Sequence, residues 1–89
     1  MLVLITYDLN KSGRDYSSLY ESIKACGDHW WHYLQSIWIV HTSLSPQQCY
    51  ERIRDNIDDQ DHLFIVDITG QTRQGWLPSK AWSWLKENQ

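Results

Sequence analysis

Two segments of this chain carry apolar side chains at consecutive positions instead of alternate ones: Leu2-Val3-Leu4-Ile5 and Ile37-Trp38-Ile39-Val40. Successive side chains of a strand leave on opposite faces, so a strand apolar at every position needs cover above and below. Both segments are therefore expected in the middle of a sheet. The chain must then supply a layer of helices for one face and something else for the other.

The pattern between and after these strands fills in the rest. Residues 2–8 form the first strand, and Asn10-Lys11-Ser12-Gly13 is a loop by composition. Asp15 can cap a helix whose apolar stripe is Tyr16, Leu19, Tyr20 and Ile23, spaced i, i+3, i+4, i+7. Gly27 is expected to end that helix. Residues 29–42 are rich in aromatic and β-branched types but too long for one strand, so they split near Gln35-Ser36 into two. Ser45-Pro46-Gln47-Gln48 starts a second helix: serine caps, proline takes the first helical position and Gln48 completes a capping box. Cys49, Ile53 and Ile57 make its inner stripe, and Asn56 to Asp61 form an acidic, solvated turn. A last strand over 62–69 is followed by a polar loop from Gly70 to Gly75 and a short helix containing Trp82, Trp84 and Leu85.

This order, β-α-β-β-α-β plus a helical tail, is the split βαβ pattern. The expected fold is α+β: a ferredoxin-like βαββαβ sandwich with a short C-terminal helix. It reads as one domain, with a core over residues 1–69 and an aromatic tail over 70–89. In that topology the first and third strands are central, and both are apolar on both faces. Two helices cover one face only. A second copy of the chain is the simplest expected cover for the other.

At 89 residues the chain is small, which also favours oligomerisation. Cys26 and Cys49 have neither metal-ligand nor redox-motif spacing and read as small buried residues. The first residues lack a basic region and reach Asp8 too soon for a signal peptide, and no apolar run approaches a membrane span; a cytoplasmic location is expected. The net charge of −3 gives no overall attraction for nucleic acid, so such binding needs a local basic strip or a metal. Six tryptophans are unusual for this length. Core and dimer packing account for most of them, Trp38, Trp76 and Trp82 included, with Ile39 beside Trp38; the tail tryptophans could instead wall a pocket for a base or another planar ligand.

The segments Leu4-Ile5-Thr6-Tyr7-Asp8-Leu9 and Leu34-Gln35-Ser36-Ile37-Trp38-Ile39-Val40 resemble two stretches of the small CRISPR-associated Cas-two proteins, whose fold VapD-type toxins share. The Gly75-Trp76-Leu77-Pro78 tail is similar to that of uncharacterised SinR-like proteins. The resemblance implies a homodimer and, in some members, a metal-dependent nuclease whose ion is held by the aspartate ending the first strand of each subunit. That position is Asp8. One carboxylate per chain suffices for magnesium or manganese only if a two-fold axis brings two together. The ordinary alternative is an aspartate that organises the following loop. Ser36 and Asn10 are candidate supports for Asp8, and Lys11, Arg14 and Arg73 are candidate phosphate contacts. His29 and His32, three apart on a strand, face opposite ways, and the Asp58, Asp59, Asp61 cluster lacks the glycine and glutamate of a calcium loop. Two readings follow: a non-catalytic or weakly active nucleic-acid-associated dimer, or a metal-dependent endonuclease on RNA or DNA. A module binding a protein or a nucleotide stands beside them.

Overall fold

The computed structural model describes residues 1–89. Four strands form one antiparallel sheet in the order β2-β3-β1-β4: β1 Leu2–Asp8, β2 His29–Leu34, β3 Ile37–His41 and β4 His62–Asp67. Three helices accompany it, α1 Ser17–Lys24, α2 Pro46–Ile53 and α3 Ser79–Asn88, with one 3-10 turn at Arg54–Asn56. This is the ferredoxin-like arrangement, and β1 and β3 are its inner strands. Leu2 pairs with His41 and Thr6 with Ile37 across β1 and β3; Val3 pairs with Asp67 and Asp8 with His62 across β1 and β4.

The starts of α1 and α2 each have a local cause. Ser45 Oγ accepts from the Gln48 amide at 3.2 Å and Gln48 Oε1 accepts from the Ser45 amide at 2.9 Å, closing the capping box ahead of Pro46. Asp15 acts one residue earlier than a cap would: its Oδ1 accepts from the Ser17 amide at 2.9 Å in a turn leading into α1. Gly27 corrects an expectation. It does not adopt the left-handed conformation of a helix-ending glycine; only Gly13 and Gly70 have positive φ. It is needed because the chain runs against the end of β3, where a Cβ would overlap the His41 carbonyl and stand 2.5 Å from Val40 Cγ1.

The inner strands bury two separate apolar layers. Toward α1 and α2, Val3, Ile5, Trp38 and Val40 pack with Leu19, Ile23, Cys49 and Ile53. Toward the tail, Leu2, Trp31 and Ile39 pack with Ala81 and Leu85 of α3. Trp31 Nε1 donates to the Ala81 carbonyl at 3.2 Å, pinning the helix to β2. Much of the second sheet face is therefore covered by the chain's own tail, where a second copy was the expected cover. Trp82 is part of that packing, whereas Trp76, expected in a core or dimer contact, is 98% exposed within the chain. Cys26 and Cys49 are free, buried thiols, consistent with a packing role. No helix is long and apolar enough to cross a membrane.

Candidate functional site at the end of β1

The tail covers only one end of the second face. Thr6 and Asp8 on β1 and His62 and Phe64 on β4 project from the same face at the far end, by the alternation of the two paired strands. Phe64 is 63% exposed, and Asp8 and His62 are exposed. Thr6, Tyr7, Asp8, His62, Leu63 and Phe64 line a shallow cavity of about 250 Å³. The Asp8 carboxylate accepts no hydrogen bond from the chain. Asn10 Nδ2 reaches the Asp8 backbone carbonyl instead, at 3.4 Å. Asp8 therefore does not organise the following loop through its side chain.

That loop is held instead by the acidic turn. Asp61 is buried, at 7% exposure. Its Oδ1 accepts from the Asn10 amide at 2.8 Å and from the Tyr16 hydroxyl at 2.8 Å, and its Oδ2 accepts from the Asp58 amide at 2.8 Å. Burial pushes the Asp61 carboxyl up, but these donors outweigh it and leave the group below its ordinary value. Burial and the Asp61 hydrogen bond raise Tyr16. The turn expected to be solvated is thus the anchor of the β1–α1 loop at Asp61.

The candidate phosphate contacts are placed by the same turn. Lys11 Nζ lies 3.1 Å from Asp58 Oδ2 and Arg14 Nη1 lies 3.3 Å from the same oxygen. Arg14 also donates to the Asn56 carbonyl at 3.3 Å and sits over the Tyr16 ring. Asp58 is held well below the carboxylate range by its neighbour Asp59, which is raised in turn, and by the Lys11 ammonium. Arg73 does not join Lys11 and Arg14. It lies on the segment before α3, donates to Gln89 Oε1 at 2.8 Å and lines a cavity under the tail. The expected strip of three cations is resolved into a pair bound to one carboxylate and a single arginine elsewhere.

Ser36 sits in the β2–β3 turn, where its carbonyl accepts from the Tyr7 amide at 3.3 Å; its side chain makes no hydrogen bond to Asp8. Trp38 is 2% exposed and donates from Nε1 to the Tyr7 hydroxyl at 3.0 Å, with His32 stacked on its ring at 3.7 Å. His29 lies by His41 on the opposite face, so the two histidines are separated as expected. His41 has a partner that spacing alone did not suggest: Asp28 Oδ1, 2.7 Å from Nδ1, a contact that lowers Asp28. No group of three or more histidine, cysteine, aspartate or glutamate side chains converges in metal-binding geometry. The aspartate that the resemblance marks for a metal is thus an exposed carboxylate with one histidine across the strand pair. No protein-family model matches the chain, and no curated protein matches it.

Proposed function

We propose that the chain is a non-catalytic or weakly active homodimer of the Cas-two-like kind, associated with nucleic acid, that self-associates through the uncovered end of its second sheet face. The observation that carries this reading is Phe64. A large aromatic ring standing 63% exposed on a sheet face, beside Thr6 and Val66, is a surface that pairing of two copies would remove from water. An isologous contact needs only one such patch, because each copy presents it to the other. The charge arrangement argues against phosphate chemistry at Asp8 and allows only weak nucleic-acid binding. Lys11 and Arg14 already neutralise Asp58, so little free positive charge faces a phosphate at Asp8.

The second reading, a magnesium- or manganese-dependent endonuclease, is favoured by the free and exposed Asp8 carboxylate on that same face. Pairing through this patch would carry two Asp8 residues toward the axis. An ion held between them would polarise a phosphoryl oxygen or activate water. Cleavage of single- and double-stranded RNA and DNA with either metal, wild type beside Asp8→Asn, separates the readings. The non-catalytic reading predicts no difference between the two proteins. Cleavage by wild type that Asp8→Asn abolishes would replace it with the nuclease. Binding of a labelled oligonucleotide should be weak and should fall only modestly between about 50 and 200 mM salt, as expected for few phosphate contacts. Absence of any binding at low salt would remove nucleic acid from the proposal.

A further inference from the structure

The tail does more than cover β1–β3. Between α3, the segment before it and the sheet it leaves a cavity of about 260 Å³. Its lining includes the buried Trp31 and Ile39 and the partly exposed Leu4, Ile37, Leu77 and Trp82. The lining is apolar, and no buried side-chain nitrogen or oxygen in the chain lacks a hydrogen-bond partner, so nothing within it calls for water. The polar groups are exposed and lie on the segment before α3: Gln71, Thr72, Arg73 and Gln74. This is the composition of a small-molecule site, apolar within and with a few polar groups at the mouth, at the small end of the range of about 300–1,000 Å³ usual for such pockets.

Arg73 decides which molecule. Its guanidinium has no carboxylate within ion-pair distance; its partner is the neutral Gln89 amide oxygen at 2.8 Å. Exchanging a neutral acceptor for an ionised one strengthens the hydrogen bond. The planar fork of an arginine matches a planar carboxylate with two parallel bonds, whereas a doubly charged phosphate held by one cation would leave charge uncompensated on a protein of net charge −3. The partly exposed Trp82 offers an aromatic surface to a flat ring. We propose that this cavity binds a planar aromatic carboxylate of one or two fused rings, ring against the partly exposed Trp82 and carboxylate on Arg73. The site is independent of the sheet end bearing Phe64, so a monomeric chain would leave this inference standing.

The test is calorimetric titration of the full chain with naphthalene-2-carboxylate, with naphthalene-2-carboxamide as the uncharged ring and cyclohexanecarboxylate as the charged but non-planar control. Tryptophan fluorescence is followed in parallel. Saturable binding of the aromatic acid, at least tenfold tighter than either control, is expected. Arg73→Gln should bring the acid down to the affinity of the amide, and Arg73→Lys should restore part of the difference. Leu34→Trp, at an exposed rim position, should fill the mouth and weaken the acid at least tenfold. All three substitutions are at exposed residues, Arg73 and Leu34, and thermal midpoints confirm folding. No saturable binding by millimolar acid overturns the proposal. So does an acid-over-amide preference that survives Arg73→Gln, or affinity unchanged in Leu34→Trp.

Discussion

At the residue scale, two side chains do work that their types alone would not announce. Trp38 fills the middle of the first apolar layer and spends its indole N–H on Tyr7, so it is held by packing and by a hydrogen bond. Trp38→Ala should lower stability by about 3–5 kcal/mol, read from the denaturant midpoint, as for other buried tryptophans. A loss below about 1 kcal/mol would show that the ring is dispensable to that layer. Asp61 is the other. Its pKa is depressed in the folded chain relative to about 3.9 when unfolded. A depressed carboxyl contributes stability that is fully present above the unfolded value and is lost as pH falls through the folded one. Asp58, depressed too, has the same sign. The thermal midpoint should therefore drop on acidification below about pH 4. Asp61→Asn should lower the midpoint at neutral pH and flatten that acid fall, because the group that titrates is gone. An acid profile unchanged by the substitution would place the titration elsewhere.

At the scale of elements, α3 is the piece that distinguishes this chain from a bare βαββαβ sandwich. It buries only Ala81 and Leu85 fully, and both meet Leu2, Trp31 and Ile39 of the sheet. Leu85→Ala should cost about 2–5 kcal/mol in the same denaturant measurement, the range for a buried leucine. A near-neutral result would mean that the tail does not dock and that the whole second face is open. The β1–α1 loop shows the other way elements are joined here. Asp61, just before β4, bonds the Asn10 amide and the Tyr16 hydroxyl, so a loop without regular structure is fixed by the neighbouring turn.

At the scale of the whole molecule, the central strands were legible from the β-α-β-β-α-β order together with their apolar faces, since consecutive apolar residues also mark Leu63–Val66 of the edge strand β4, and the start of α2 was legible because a capping box is written in four adjacent residues. The split at Gln35-Ser36 followed from strand length. What was not legible is what depends on distant partners. Gly27 reads as a helix end, yet its constraint is the His41 backbone fourteen positions on. The aspartates of 58–61 read as solvent-facing, yet one is buried under Asn10 and Tyr16 and another collects Lys11 and Arg14. The cover of the second face was correctly required, and the Trp82–Leu85 face of the tail was expected on the sheet or on a partner; periodicity alone could not choose between the two or say that Phe64 stays bare. That bare patch is where the central claim can be tested. Light scattering of the full chain at micromolar concentration should give the mass of two chains, and Phe64→Glu, at an exposed position that the fold tolerates, should give the mass of one with an unchanged thermal transition at low concentration. A wild type that stays at the mass of a single chain across that range would contradict the account.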